Sequence, residues 1–208
     1  MTPRIVVLDY GSGNLRSAER ALTRAGGDVV VTDDLTAAAT ADGLVVPGVG
    51  AYASCMAALT SINADRMIAD RIALGRRVLG ICVGMQVMFE YGEEHGRRTT
   101  GLGLLPGGVT RLSAPRVPHM GWNTVSPALT AEPQTRFYFV HSYAAQDIAA
   151  LTAVGVAVTT ATYGVPFVAA VESGALMATQ FHPEKSGDAG AALLHRWVDG
   201  CVPAGVGA

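Results

Sequence analysis

Two hydrophobic periodicities divide the chain. Over the first hundred residues, short continuous runs of β-branched and aliphatic residues (RIVVLDY, DVVVT, GLVVP, RVLGI) alternate with segments whose apolar residues recur every three or four positions. Those segments run from about Leu15 to Ala25, from Asp65 to Leu74, and onward from Val83. The runs predict strands buried on both faces and the spacings predict helices, so their alternation predicts parallel βαβ units. From about residue 108 strand signals follow one another: GVTRL, VPHM, FYFVHSY, VTTATY and FVAAVESGALMATQF. In the last of these, Glu-Ser-Gly separates two β-rich runs, which is a hairpin signal. Residues 187–200, GDAGAALLHRWVDG, predict a closing helix with Leu193, Leu194 and Trp197 on one face and Gly200 as its stop. The expected fold is α/β: a central, mostly parallel sheet flanked by helices, with antiparallel strands added late, in a single domain over residues 1–208. The segment SPALTAEPQT, residues 126–135, carries no motif.

Composition narrows the classes of function. The chain has 208 residues, half of them apolar, enough for one sizeable core. A formal charge of −2 offers no basic stripe for nucleic acid and no patch for a membrane surface, so a small neutral partner is expected. The N-terminus, MTPRIVVLDYGSGN, has no signal-peptide pattern and no apolar run approaches membrane-spanning length, which predicts a cytoplasmic protein. Three widely spaced cysteines, Cys55, Cys82 and Cys201, fit neither a disulfide framework nor a metal site and are read as free thiols. No metal or cofactor is expected. The DYGSGNLR stretch has the first two glycines of a dinucleotide fingerprint, but Arg16 occupies the third position. Lys185 is the only lysine among fifteen basic residues.

The candidate chemistry begins at Gly80-Ile81-Cys82-Val83-Gly84, the G-x-C-x-G form of a strand–turn–helix elbow that exposes its central side chain. A cysteine there meets unpaired N–H groups and the positive end of a helix dipole, which favour thiolate. By itself the pentapeptide leaves a buried packing cysteine equally open. A nucleophile needs a base, and the base needs an orienter. His95 lies in a polar loop and His195 in the closing helix. His182 instead ends the apolar strand ALMATQF, at the edge where active sites of open α/β sheets lie, and Pro183 and Glu184 follow it. Glu184 is placed to double back onto the imidazole. Oxyanion donors are expected from the Val83 amide and from the loop at Val49 and Gly50, where VVPGVGAY ends a strand, although a simple tight turn also accounts for that loop.

PGVGAY, GICVGMQ and FHPEKS, in this order, resemble the class I (triad) glutamine amidotransferases. LDYGSGNLRS, PHMGWN and FYFVHSYA resemble more narrowly the branch serving histidine biosynthesis, the glutaminase subunits of imidazole glycerol phosphate synthase. The resemblance covers nearly the whole chain and implies a flavodoxin-like fold. It implies that Cys82, His182 and Glu184 form the triad, that Gln86 contacts the substrate L-glutamine, and that backbone at Ser142 and Tyr143 holds the substrate's α-amino acid group. It further implies a separate (β/α)8-barrel cyclase subunit that receives ammonia. Asn14, His119, Trp122, Tyr138 and Lys185 are the residues expected to face it. Two alternatives are a glutaminase for another acceptor, such as pyridoxal phosphate or anthranilate synthase, and a noncatalytic redox or chaperone protein with an elbow cysteine. PGVG and HMGWN argue against the first, and the intact His-Pro-Glu against the second.

Overall fold

The computed structural model describes residues 2–126 and 134–201. The segment without a motif, residues 126–135, thus lies mostly outside the described residues. The first half alternates as the periodicity predicts: β1 (Arg4–Leu8), α1 (Leu15–Arg24), β2 (Asp28–Thr32), α2 (Leu35–Thr40), β3 (Gly43–Gly48), α3 (Tyr52–Ser61), α4 (Ala64–Ala73), β4 (Arg77–Cys82) and α5 (Val83–Gln86). Then come β5 (Phe89–Glu94), β6 (Arg97–Thr100), β7 (Leu105–Arg111), β8 (His119–Thr124), β9 (Arg136–His141), β10 (Tyr143–Ala145), α6 (Ile148–Ala153), β11 (Ala157–Tyr163), β12 (Val165–Ser173), β13 (Leu176–Thr179), a 3-10 turn (Pro183–Lys185) and α7 (Gly187–Asp199).

The central sheet has the order β11-β12-β13-β4-β3-β1-β2. Pairing is parallel from β13 to β2, and β12 and β11 add antiparallel. Every residue of β3 and β13 is buried, as expected of strands covered on both faces. No helix among the described residues is long and apolar enough to cross a membrane.

Four parts differ from the sequence pattern, the first being α3, a helix between β3 and α4 that no apolar spacing marked. The helix expected onward from Val83 stops at Gln86, and Phe89–Glu94 becomes a strand, buried at Phe89 and Gly92. His95 and Gly96, with φ of 52° and 74°, turn that strand back into β6, so the polar loop is the tip of a hairpin. The polar segment after β2 contains a helix, α2, because the Asp34 carboxylate accepts from the Thr36 and Ala37 amides and caps it. Most of the later strands stay out of the central sheet: β10-β7-β5-β6 forms one small sheet and β8-β9 a two-stranded ribbon. Strand β9 is buried only at alternate positions, Phe137, Phe139 and His141, so it suits an outer layer rather than a sheet covered on both sides.

Strands β13, β4 and β3 are parallel neighbours, so the chain leaves all three at one edge of the sheet. The PGVG loop, the Cys82 elbow and the His182 turn therefore meet there, at the carboxyl ends where open α/β sheets bind ligands.

Candidate active site

Cys82 ends β4 with φ 57° and ψ −112°, a conformation unfavourable for a residue with a side chain and imposed here by the turn into α5. The turn presses the flanking residues against backbone. A Cβ on Gly84 would overlap the Val46 carbonyl oxygen, and one on Gly80 would stand 2.7 Å from the Gly84 carbonyl oxygen. The spacing of the two glycines around the cysteine is thus a steric requirement of the bend.

His182 is fixed from both sides of its peptide. Its N–H donates to the Tyr138 carbonyl at 2.9 Å, and the Ser186 hydroxyl donates to its carbonyl at 2.6 Å while accepting the Tyr138 N–H at 3.0 Å. The preceding Phe181 stacks on Phe137, with centroids 4.0 Å apart, which anchors the end of the strand to β9. The imidazole Nδ1 lies 2.9 Å from Glu184 Oε1, and both side chains are almost fully buried. A carboxylate only accepts, so Nδ1 carries hydrogen and Nε2 is the nitrogen left for Cys82. Burial disfavours the imidazolium, but hydrogen bonds and charge from Cys82 and Glu184 outweigh it and raise the His182 pKa to about 9. The second carboxylate oxygen of Glu184 is buried without a hydrogen-bond partner among the described residues.

Gln86 is buried, and its amide nitrogen donates to the Tyr143 carbonyl and to Gln180 Oε1, both at 2.9 Å. Gln180 in turn points its own amide nitrogen at Cys82 Sγ, 3.8 Å away. Gln180 was not among the candidates. Its only sequence signal is a polar residue interrupting the apolar strand ALMATQF.

The Val49 peptide is held by Ser12 of the DYGSGN stretch and by Cys55, and its loop by Tyr10 of the same stretch, none of which was a candidate site residue. The Val49 N–H donates to Ser12 Oγ at 3.1 Å, and its carbonyl accepts from Ser12 Oγ at 2.9 Å and from the Cys55 thiol at 3.4 Å. The Tyr10 hydroxyl donates to the Pro47 carbonyl of the same loop. Burial pushes the Cys55 thiol and the Tyr10 phenol up, so both stay protonated as donors. In this arrangement the Val49 N–H is committed to Ser12 rather than offered to an oxyanion, and Gly50 follows with φ 86°. Val83 opens α5, in a first turn whose N–H groups have no intrahelical partner. The carbonyls of Ser142 and Tyr143 are used internally, by the Leu112 amide and by Gln86.

Of the residues expected to face a partner, Trp122 is 50% exposed and lies edge-on to Tyr138, and Lys185 is exposed in the turn after His182. Tyr138 and Asn14 are partly buried. His119 is the exception. It is buried, stacked between Phe139 and Tyr163 with centroids 4.9 and 4.2 Å away, because its strand turns alternate side chains inward. Met120, its exposed neighbour, shares the outer surface with Trp122.

Comparison with known proteins gives the family of the chain. The model of the family "Glutamine amidotransferase class-I" matches residues 6–199. The chain is 61% identical over 202 residues to the imidazole glycerol phosphate synthase subunit HisH of Mycobacterium tuberculosis, covering 94% of this chain and 97% of that protein. It is 56% identical to the HisH subunit of Thermobifida fusca, covering 95% of this chain and 99% of the relative. Among solved structures, one described as a glutamine amidotransferase superposes with a TM-score of 0.74 at 21% identity, over 93% of this chain and 96% of its own. PurLQS from Thermotoga maritima superposes with a TM-score of 0.68 at 20% identity, over 96% and 99%. These two likenesses speak to the fold.

Proposed function

The chain belongs to the class I glutamine amidotransferase family, and we propose that it is the glutaminase subunit of an imidazole glycerol phosphate synthase, acting in histidine biosynthesis. One observation carries the reading. Cys82, on a strained elbow, stands near enough to the His182 imidazole to help raise its pKa, and that imidazole's Nδ1 is held 2.9 Å from a buried carboxylate.

The Cys82 thiolate attacks the side-chain amide carbon of glutamine. His182, protonated at Nε2 and oriented by Glu184, gives its proton to the departing nitrogen, the C–N bond breaks, and ammonia leaves a glutamyl thioester. His182, now neutral, takes a proton from water; the hydroxide attacks the thioester, and glutamate leaves as the thiolate re-forms beside the imidazolium. The Val83 amide and an amide of the Val49–Gly50 loop stabilise the oxyanion, with Gln86 and backbone at Ser142 and Tyr143 holding the substrate. One glutamine amidotransferase domain over residues 1–208, in the cytoplasm, completes the reading. Free ammonia would become ammonium in water, so it passes directly to a (β/α)8-barrel cyclase subunit docked over the Cys82 edge.

The Ser12 clamp on Val49 adds a gate to this reading: the Val49–Gly50 peptide must turn for its amide to reach an oxyanion. Glutamate production by the chain alone is therefore expected to be low, to rise with the barrel subunit, and to rise further with the barrel's nucleotide ligand. Full activity of the isolated chain would overturn the gate, and no response to the barrel would overturn the partner.

The exposed Lys185 makes an interfacial ion pair in this reading, where a compact ammonium and a guanidinium are not equivalent. Lys185→Arg is expected to weaken the complex by roughly tenfold, as an interfacial charge pair would. Unchanged affinity and unchanged stimulation in a titration with the barrel would remove Lys185 from the interface.

A further inference from the structure

Two buried histidines outside the triad form a hydrogen-bonded row whose direction is fixed at both ends. At the outer end, Asn123 Oδ1 accepts the Thr124 amide at 2.8 Å and Asn123 Nδ2 donates to the Thr162 carbonyl at 3.0 Å. This sets the amide orientation, so Nδ2 is also the donor to His119 Nε2 at 3.3 Å. At the inner end, the Tyr143 carbonyl can only accept, so His141 Nδ1, 3.0 Å away, must carry hydrogen. Between them His119 Nδ1 and His141 Nε2 lie 3.0 Å apart. With His119 accepting at Nε2 and His141 donating at Nδ1, the consistent pairing of two neutral rings has His119 Nδ1–H donating to His141 Nε2. Burial keeps both rings neutral, lowering His119 to about 4 and His141 to about 3.

The row does not end at Tyr143. The same carbonyl accepts the Gln86 amide, Gln86 donates to Gln180 Oε1, and an oxygen there obliges Gln180 Nε2 to face Cys82 Sγ as a donor. We propose that His119 and His141 are positioning residues for the nucleophile, acting through the Tyr143 carbonyl, Gln86 and Gln180 to hold an N–H donor against the Cys82 sulfur. This rests on the reading of Cys82 as nucleophile. The donor stabilises the negative charge of the attacking sulfur, because a charged sulfur accepts the more strongly. The histidines belong to the β8–β9 ribbon, apart from the central sheet, so the row is a polar link between ribbon and elbow.

The test is alkylation of Cys82 by iodoacetamide at fixed pH, followed by peptide mapping so that Cys55 and Cys201 are counted separately. This reagent does not depend on glutamine binding. Gln180→Met, which keeps the volume and loses the donor, is expected to slow alkylation about tenfold. His119→Leu is expected to slow it severalfold, and His119→Asn, whose amide nitrogen stands near the place of Nδ1, to recover most of the rate. Thermal unfolding separates positioning from packing: in an aromatic cage Leu is at least as stabilising as Asn, so a structural role would give the opposite order. Alkylation that follows the unfolding midpoints, or an unchanged rate in Gln180→Met, would overturn the proposal. His182→Ala is the control for the reading beneath it. If that variant is alkylated as fast as the parent, the activated nucleophile itself is wrong; if it is slow while the others are unchanged, only the row fails.

Discussion

His182→Ala is expected to lower glutamine hydrolysis by about 10^4-fold, at the upper end of what one positioned acid–base group supplies. The loss combines two steps served by the same nitrogen, protonation of the departing ammonia and activation of water. It also carries a stability cost. Glu184 donates nothing, its Oε1 has His182 as partner, and its Oε2 has none among the described residues, so deleting the imidazole strands a buried carboxylate. An unpaired buried charge of this kind costs about 3 kcal/mol. His182→Ala/Glu184→Leu is therefore expected to regain most of the unfolding midpoint while regaining no activity. A double variant less stable than the single would mean that the carboxylate has another partner.

His182, with Cys82 and Glu184 beside it, also sets the pH dependence. The His182 pKa is raised from 6.5 to about 9 in the folded protein, so the imidazolium that protonates ammonia persists through neutral pH and is lost as pH rises through about 9. Turnover should have its alkaline limb there. The linkage has the same sign: a raised folded pKa adds stability that is complete below about 6.5 and fades as pH climbs through about 9. Unfolding midpoints measured across that window should fall in the parent and fall less in the double variant.

Gly84→Ala is expected to be one of the most damaging small substitutions among the described residues. Its Cβ would overlap the Val46 carbonyl oxygen and stand 2.9 Å from the Val46 carbonyl carbon and 3.2 Å from that of Pro47. All three are backbone atoms of β3 or its end, which is locked between β1 and β4, so no rotamer change relieves the contact. Overpacking against a rigid backbone costs about 3 kcal/mol or more. Movement of either strand would also displace Val83 and the PGVG loop relative to Cys82. The expected result is a large drop in denaturation midpoint together with loss of Cys82 reactivity. A folded variant with the parental midpoint would show that the elbow is looser than this packing implies.

The strands of the parallel half and helices α1 and α4 were legible because each depends on a local period, whereas α2 and α3 were not, and the elbow was legible because its two glycines answer clashes within a few residues of chain. His182 and Glu184 were legible for the same reason: an orienter two residues from its base needs only a short turn between them. The helix predicted onward from Val83 failed where the apolar residues Val87, Met88 and Phe89 fit either period, and pairing with β7 decided for a strand. The burial of His119 was hidden because VPHM does not say which layer its strand will join.

The sequence by itself determined the order of strands in the parallel half, the bend at Cys82 and the His182–Glu184 pair, all products of steric and hydrogen-bonding rules acting over a few neighbouring residues. Only the tertiary structure decided that Gln180 faces Cys82, that Ser12 clamps Val49 and that His119 meets His141. Those partners are 98, 37 and 22 positions apart, and their meeting depends on sheet order and register, which no local pattern encodes.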